Sequence, residues 1–268
     1  MAYDVEGRTA LVTGASSGIG AGLAEGLARA GATVGLVARR RDRLAEVLER
    51  CRAHAPGSRM WVADLADPEA VEAVAHSARD ELGPVDVLVN NAGIPKRRHV
   101  TRLDAATVDA VMHLNYSSPV RLTLALLPSM LERGQGRIVN VSSVAATLSS
   151  PGEAAYGASK AALAVFSETM AVDLWDTGVK VMVVYPGVVD TELFTLPDND
   201  PFTAEVEAIP VEEAVAAVLE GLAADALEVY VPAWFGDLTP RKAADVAGFL
   251  AGTAAYQRAR ADAAPSGG

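Results

Sequence analysis

Seven short apolar runs, separated by longer helical patterns, constrain the fold of this chain more than any other feature. The runs are rich in valine and continuous rather than alternating, so each predicts a strand that is buried on both faces. The segments between them are long enough to form crossover helices. The sequence therefore predicts an α/β fold, a doubly wound parallel sheet of about seven strands. The predicted strands are residues 9–13, 33–38, 59–63, 85–90, 137–142, 180–185 and 227–232.

Length and composition favour a single domain. The chain has 268 residues, and half of them are hydrophobic, which is enough to build one sizeable core. We assign residues 1–258 to one catalytic domain. Residues 259–268 are small and polar without apolar periodicity, so we expect a disordered tail there. No apolar run approaches the roughly 18 residues of a membrane span, and the N-terminus lacks the apolar core of a signal peptide, so we expect a cytoplasmic protein without membrane association.

The net charge and the pattern of histidine and cysteine argue against nucleic acid and metal ions as partners. The formal net charge of −11 argues against nucleic acid, because binding to the phosphate backbone depends on neutralising its charge. The four histidines show none of the short spacings of zinc sites, and Cys51 is the only cysteine, so no metal and no internal disulfide are expected. The expected partner is a small-molecule substrate.

The residues that follow the predicted strands are the candidate functional residues. In a doubly wound sheet, ligands bind outside the carboxyl ends of the strands, near the point where the strand order reverses. These strand exits are residues 14–20, 38–41, 63–65, 90–93, 142–143 and 186–187.

The first exit can be interpreted in two ways. Residues 14–18 match the G-x-S-x-G turn that presents a catalytic serine in hydrolases. Glycines at 14, 18 and 20, between a strand and a helix, also suit a turn that binds a dinucleotide pyrophosphate. A hydrolase of that type needs an earlier strand-to-helix loop and a later catalytic histidine, but no such loop precedes this one and no histidine follows His113. The dinucleotide interpretation is favoured, although a plain tight turn would also favour glycine.

Further motifs raise the specificity of this interpretation. Tyr156 and Lys160 are one helical turn apart and face the same way, and Ser143 follows the fifth strand. Singly, Ser143 could be a helix cap and Asn115 a polar residue that interrupts a helix; as a set they favour a proton-transfer site. With these residues the sequence resembles the short-chain dehydrogenase/reductase family over about residues 7–232. The matching motifs are TGxxxGxG at 13–20, NNAG at 90–93, Asn115, Ser143, YxxxK at 156–160, Pro186-Gly187 and Thr191.

The resemblance implies a Rossmann-type oxidoreductase that moves a hydride between a nicotinamide cofactor and a carbonyl or secondary alcohol. It implies that Tyr156 is the general acid/base, that Ser143 binds the substrate oxygen and that Asn115 holds a relay water. A free tyrosine ionises near ~10, and the ammonium of Lys160 can favour its phenolate. The expected cofactor-binding residues are Gly14, Ser16, Ser17, Gly18, Ile19, Gly20, Arg39, Arg40, Asp64, Leu65, Asn91, Ala92, Gly93, Tyr156, Lys160, Pro186, Gly187 and Thr191.

The end of the second strand predicts NADP(H) rather than NAD(H). NAD-preferring relatives usually have an acidic residue there, whereas this chain has Ala38 followed by Arg39, Arg40, Arg41 and Arg43. Cations at a helix start are disfavoured by about 0.3–1 kcal/mol, which a bound phosphate would offset. We expect Arg39 to be the principal phosphate contact and Arg40 to support it. A solvated basic face is the alternative.

The segment 188–210 is a candidate substrate loop. It is long, and the family places a lid there. Phe194, Leu196 and Phe202 would give it an apolar inner face and favour a mostly apolar substrate, unless they pack on the sheet instead. The position of Trp234 and Phe235, in the pocket or in an interface, stays open.

Two other functions are the alternatives, and the same residues argue against both. A catalytically silent dinucleotide-binding regulatory protein would normally have lost part of the Tyr-Lys-Ser set, which is intact here. A related epimerase or dehydratase would have different glycine spacing and a larger C-terminal region.

Helices predicted at 107–132 and 153–175 are more apolar and richer in small residues than one sheet face needs, so we expect a homo-oligomer, a tetramer or a dimer.

Overall fold

A parallel sheet of seven strands forms the centre of the protein. The structure is a computed structural model and describes residues 3–201 and 206–263. Within these residues the strand order is β3-β2-β1-β4-β5-β6-β7, and every pairing is parallel. The doubly wound α/β fold predicted from the sequence is therefore confirmed. The strands are β1 (Thr9–Thr13), β2 (Thr33–Ala38), β3 (Arg59–Val62), β4 (Val87–Asn90), β5 (Gly136–Val141), β6 (Val179–Pro186) and β7 (Glu228–Val231).

Helices cover both faces of the sheet. α1, α2 and α8 pack on one face, and α3, α5 and α7 pack on the other. Among the residues that the structure describes, no helix is long and apolar enough to cross a bilayer. The helices are α1 (Gly18–Arg29), α2 (Arg41–Arg52), α3 (Pro68–Leu82), α4 (Ala105–Met112), α5 (Ser118–Glu132), α6 (Ala145–Leu148), α7 (Ala154–Asp173), α8 (Val211–Ala223), α9 (Leu238–Ala244) and α10 (Val246–Ala263), with 3-10 turns at Val100–Arg102, Glu192–Phe194 and Ala233–Asp237.

The strand order reverses at β1. Val12 pairs with Leu36 on β2 and with Val89 on β4, so the chain leaves β1 toward one edge of the sheet and later returns to its other side. All three side chains are buried, because helices cover the sheet above and below them. This reversal opens a crevice between the carboxyl ends of β1 and β4, where ligands bind in such sheets.

The helix predicted at 107–132 is interrupted. α4 ends at Met112, a π-helical turn runs from His113 to Ser117, and α5 starts at Ser118. The buried amide of Asn115 lies in this turn and hydrogen-bonds outside the helix, a tertiary contact that helical periodicity does not reveal.

The C-terminal segment is more ordered than the sequence predicted. We expected a disordered tail from residue 259, but α10 continues to Ala263, and residues 264–268 lie outside the described residues. Residues 251–263 are mostly alanine and arginine, which favour a helix even without an apolar stripe.

Candidate active site

A cavity of about 550 Å³ opens at the carboxyl edge of the sheet, over the crevice between β1 and β4. Its wall contains nearly every residue that the sequence nominated, although these residues lie far apart in the chain. The exceptions are Gly20 and Asn115. The nominated residues in the wall are Gly14, Ser16, Ser17, Gly18, Ile19, Arg39, Arg40, Asp64, Leu65, Asn91, Ala92, Gly93, Ser143, Tyr156, Lys160, Pro186, Gly187 and Thr191.

The glycine-rich turn and the NNAG loop form the floor of the crevice. Gly14 and Gly18 have φ of +65° and +54°, values that other residues adopt with strain. The buried hydroxyl of Thr13 accepts hydrogen bonds from the backbone N–H of Asn91 at 2.9 Å and of Ala92 at 3.1 Å, and donates to the Val89 carbonyl at 3.2 Å. One side chain therefore fixes the NNAG loop against the start of the glycine-rich turn.

Gly20 packs tightly within the glycine-rich turn. It lies behind the cavity wall, and a Cβ atom there would overlap the carbonyl oxygen of Gly14 and the side-chain amide of Asn91. Its missing side chain lets the turn close onto the NNAG loop. Packing within the turn is by itself enough to require glycine here, and the close approach of a phosphate stays a prediction.

Tyr156 and Ser143 meet at the deep end of the cavity. Tyr156 lies in the first turns of α7 and is buried, and Ser143 follows β5. The Ser143 hydroxyl is within hydrogen-bonding range of the phenol and lowers the pKa of Tyr156, but burial outweighs it and raises that pKa overall. Ser143 also accepts a hydrogen bond from the backbone N–H of Ala145, the first residue of the short helix α6, at 3.1 Å. Tyr156 is therefore protonated at neutral pH.

Lys160 is buried beside Tyr156. The ammonium donates to the Val141 carbonyl at 2.8 Å and lies 5.8 Å from the centre of the Tyr156 ring. Burial lowers the pKa of Lys160 to about 8. The role expected for Lys160 in favouring the phenolate stays a prediction. Burial raises the pKa of Tyr156, and the positive charge of Arg97 lowers it by less.

Asn115 supports the site from behind. Its side chain is completely buried, donates to the Ile94 carbonyl at 2.9 Å and to the Ser159 hydroxyl at 3.0 Å, and accepts from the Ile94 N–H at 2.8 Å. These bonds connect the end of the NNAG loop to α7. A Cβ atom at Gly93 would lie 3.1 Å from the Asn115 amide oxygen and 3.4 Å from the Lys160 ammonium, so Asn115 and Lys160 are close neighbours.

Sequence reasoning missed Arg97 and Glu153. Both side chains are almost completely buried, with 3% and 8% exposure, and both lie in the cavity wall. Glu153 precedes Tyr156 by three residues, so helical spacing alone places it on the same side of α7. Arg97 belongs to the basic run 96–98, four residues after the NNAG loop. Charged residues are rarely buried, which is why surface positions were assumed for both.

Arginines from the end of β2 and the start of α2 form the opposite end of the cavity. Arg39 is exposed, and its guanidinium lies 3.8 Å from the carboxylate of Asp64. Arg40 donates to the hydroxyls of Ser17 at 2.5 Å and of Ser16 at 3.2 Å. The structure thus brings Arg40, more than Arg39, onto the glycine-rich turn.

Glu192 closes this end from the other side. It forms ion pairs with Arg40 at 2.7 Å and with Arg43, and hydrogen bonds from both guanidinium groups lower its pKa. Since Glu192 follows Thr191 in the segment after β6, these pairs link the basic cluster to the predicted substrate loop.

The segment after β6 and the residues around Phe235 cover the end of the cavity that holds Ser143 and Tyr156, which we also call the substrate end. Leu193, Leu196 and Val206 lie in the wall. The predicted apolar face also included Phe202, which lies outside the described residues, and Phe194, whose side chain is not described. Phe235 is buried in the wall, and a Cβ atom at Gly187 would overlap its ring, whereas Trp234 stacks on Phe235 at 3.9 Å and is half exposed.

The cavity has two chemically different ends joined by a helix N-terminus. Basic side chains form one end, the Ser143, Tyr156 and Lys160 groups form the other, and α1 begins between them at Gly18. The free backbone N–H groups of a helix N-terminus bind phosphate groups well. The residues therefore fit an elongated ligand with a central pyrophosphate, as in a nicotinamide dinucleotide.

Comparison with known proteins agrees with this geometry. The family model of short chain dehydrogenases matches residues 8–200. A short chain dehydrogenase of Pseudocercospora fijiensis is 40% identical over 192 residues, which cover 70% of this chain and 62% of that protein. The 3-oxoacyl-(acyl-carrier-protein) reductase FabG of Vibrio cholerae is 36% identical over 207 residues, which cover 77% of this chain and 84% of that protein.

A solved structure extends the similarity to the whole chain. A short-chain dehydrogenase from Sphingobium yanoikuyae in complex with NADPH is 31% identical, with a TM-score of 0.78 over 97% of this chain and 98% of that one. The family model alone covers well over half of the chain. The chain therefore belongs to the short-chain dehydrogenase/reductase family of oxidoreductases that act on CH–OH and C=O groups.

Proposed function

We propose that the protein is an NADP(H)-dependent oxidoreductase that interconverts a carbonyl and a secondary alcohol on a mostly apolar small molecule. The observation that carries this proposal is the convergence of Ser143, Tyr156 and Lys160 at one end of a cavity whose other end carries Arg39 and Arg40. The apolar side chains of Leu193, Leu196 and Phe235 around the end that holds Tyr156 support a largely apolar substrate.

The residues at the deep end divide the chemistry between them. When bound, the nicotinamide supplies or accepts the hydride. Tyr156 holds its proton at neutral pH because burial raises its pKa, so in the reducing direction it donates that proton to the carbonyl oxygen. Ser143 holds the same oxygen by a hydrogen bond. Lys160, whose ammonium donates to the Val141 carbonyl, would hold the nicotinamide ribose.

A substrate panel tests this function. We expect the purified protein to oxidise NADPH in the presence of aryl and alkyl ketones, followed at 340 nm, and to transfer deuterium from C4-deuterated NADPH to one face of the product. A protein that binds NADPH but turns over no ketone, aldehyde or secondary alcohol of the panel would contradict the proposal. Mass spectrometry of ligands retained from cells identifies further candidates.

The proposed cofactor preference gives a sharp prediction for Arg39. We expect the parent protein to bind NADPH at least tenfold more tightly than NADH, and Arg39→Ala to lower this ratio about 10-fold or more. The reason is that a charge-assisted hydrogen bond to phosphate contributes about 1.5–3 kcal/mol. Both reduced cofactors are titrated by fluorescence.

Arg41→Ala is the matched control for this prediction. It removes another guanidinium of the same cluster, but Arg41 is exposed on α2 and lies outside the cavity wall. The ratio of NADPH affinity to NADH affinity in Arg41→Ala should stay at the parent value. Tighter binding of NADH by the parent, or an unchanged ratio in Arg39→Ala, would contradict the assignment.

We further propose that the protein is a homo-oligomer, a tetramer or a dimer. Leu124 and Leu131 on α5 and Val165 and Val172 on α7 are exposed, on the two helices that the sequence marked as unusually apolar. Multi-angle light scattering at micromolar concentration is expected to give a multiple of 27.8 kDa. A particle of 27.8 kDa would refute the assembly. A cytoplasmic location stays a prediction of the sequence.

A further inference from the structure

A carboxylate of the chain itself is bound at the basic end of the cavity, the end that carries Arg39 and Arg40. Oε2 of Glu192 accepts a hydrogen bond from Nη1 of Arg40 at 2.7 Å, and Oε1 accepts one from Nη1 of Arg43. Glu192 belongs to the segment after β6 and lies 152 positions after Arg40 in the chain. The arginine cluster therefore already holds one anion, with a guanidinium group on each of its two oxygens.

Arg40 connects this anion to the glycine-rich turn. Its guanidinium donates to the Ser16 hydroxyl from Nε and from Nη2, both at 3.2 Å, and to the Ser17 hydroxyl from Nη2 at 2.5 Å. Arg40, Glu192 and both serines lie in the cavity wall. These three bonds and the one to Glu192 engage four of the five N–H donors of the guanidinium. A phosphate that binds Arg40 through two oxygens must therefore replace part of this set.

The partners of Arg40 differ in how they respond to a phosphate. A serine hydroxyl both donates and accepts, so Ser16 and Ser17 can donate to a phosphate oxygen instead of accepting from Arg40. A carboxylate only accepts, and its negative charge repels a phosphate on the same guanidinium. Among these three partners, Glu192 is the one that opposes a phosphate.

We propose that Glu192 is an internal competitor for the 2′-phosphate of NADP(H), and that it thereby limits how strongly the protein prefers NADP(H) over NAD(H). The 2′-phosphate takes the place of the carboxylate on Arg40. NAD(H) has a ribose hydroxyl in that position and leaves the ion pairs of Glu192 intact. This inference rests on the proposed NADP(H) site at Arg39 and Arg40.

The ion pairs are exposed enough for this exchange. The side chains of Glu192, Arg40 and Arg43 are 47%, 43% and 48% exposed. Ion pairs with this exposure are only weakly stabilising, whereas a phosphate offers more charge and three acceptor oxygens. The phosphate can thus displace the carboxylate, but part of its own binding is lost in doing so. For one or two exposed pairs, the lost affinity corresponds to about three- to tenfold.

The position of Glu192 decides which quantity must be measured. Glu192 lies between Thr191, expected at the nicotinamide, and Leu193 in the wall of the substrate end. A substitution at residue 192 can therefore disturb cofactor binding through either neighbour. Because NADPH and NADH share the same nicotinamide half, such a disturbance cancels in the ratio of their affinities. An effect on the 2′-phosphate remains in that ratio.

The test is a titration of NADPH and of NADH, followed by fluorescence, into the parent, Glu192→Gln, Arg40→Ala and the double variant. Glu192→Gln keeps the shape of the side chain and removes its charge. It is expected to tighten NADPH binding about three- to tenfold and to change NADH binding by no more than about twofold. In the Arg40→Ala background the gain for NADPH should fall to about twofold or less, because the guanidinium for which the two anions compete is gone.

Glu25→Gln is the matched control. Glu25 accepts a hydrogen bond from Nε of Arg50 at 2.8 Å, so this variant also removes a carboxylate from an ion pair with an arginine of α2. It makes the same change in net charge, at a position outside the cavity wall. The ratio of NADPH affinity to NADH affinity should stay at the parent value.

The outcomes separate the competition from the proposed cofactor preference. An unchanged ratio in Glu192→Gln would overturn the competition, and so would an equal gain with and without Arg40, which would indicate general charge repulsion. In either case a parent that binds NADPH more tightly than NADH would still support the proposed cofactor. If the parent bound NADH more tightly, the proposed preference would fail, and the change of ratio in Glu192→Gln would still decide the competition.

Discussion

Replacement of Tyr156 by phenylalanine is expected to lower turnover by about 10²- to 10⁴-fold, the range of general acid–base catalysis. The substitution removes one hydroxyl from the deep end of the cavity and keeps the ring that packs there. Because the substitution gives up a hydrogen bond with the Ser143 hydroxyl and leaves the packing of the ring unchanged, the fold should be preserved. Steady-state rates with a ketone that the parent reduces measure the effect, and NADPH titration and thermal melting should give near-parent values.

Tyr230→Phe is the matched control. It removes the same hydroxyl from a tyrosine on β7 that stacks on Tyr185, outside the cavity wall. This variant should keep near-parent rates. A Tyr156→Phe protein with near-parent rates would show that another group supplies the proton.

Substitution of Gly20 by alanine is expected to have the largest effect on the fold of the site. The new Cβ would overlap the Gly14 carbonyl oxygen and the Asn91 amide, and the backbone atom cannot move without opening the turn. Overpacking of this kind costs about 1–3 kcal/mol or more. At about 2–4 °C per kcal/mol for a large domain, Tm should fall by several degrees. NADPH binding should weaken as well, because the turn and the NNAG loop move apart.

Gly252→Ala is the matched control, because it makes the same glycine-to-alanine change at a position where no clash arises. Gly252 lies within α10, and a Cβ atom there would meet no atom within 4 Å. Alanine favours a helix by about 1 kcal/mol over glycine, so Tm should stay the same or rise slightly. If Gly20→Ala melted like the parent and bound NADPH equally well, packing at this turn would not be the reason for the glycine.

The sheet could be predicted from the sequence because its strands are self-contained signals. Each predicted strand agrees with the observed one to within two residues at either end, as for residues 85–90 against Val87–Asn90. A strand covered on both faces must be apolar throughout, and that pattern needs no knowledge of its neighbours. The strand exits then follow from the chain order.

Features that depend on tertiary contacts could not be predicted in this way. The π-helical turn at His113–Ser117 goes together with hydrogen bonds from Asn115 to Ile94, a residue 21 positions earlier. The continuation of α10 to Ala263 is a different case, because the helix propensity of its residues could have indicated it from the sequence. Neither signal appears in hydrophobic periodicity.

The candidate site likewise contains residues that could be identified from the sequence and residues that could not. Motif residues such as Ser143 and Tyr156 were identified from the sequence, because their spacing along the chain is distinctive. The buried positions of Arg97 and Glu153 were not, because nothing local distinguishes them from solvated surface charges. The direction in which Lys160 points, toward Val141, also depends on the folded backbone.

Backbone contacts join the two ends of the segment that covers the substrate end to each other. A single parallel bridge joins Val189 to Ile209, with backbone hydrogen bonds from Asp190 to Ile209 at 2.9 Å and from Ile209 to Val188 at 3.0 Å. The two ends of the intervening segment are thus fixed side by side whatever its length. Closing a longer loop costs only about 0.6 kcal/mol for each doubling of its length. An insertion between Val189 and Ile209 should therefore cost little in loop closure, whereas loss of the ion pairs of Asp198 with Lys96 and of Asp200 with Arg102 would release the segment from the residues after β4.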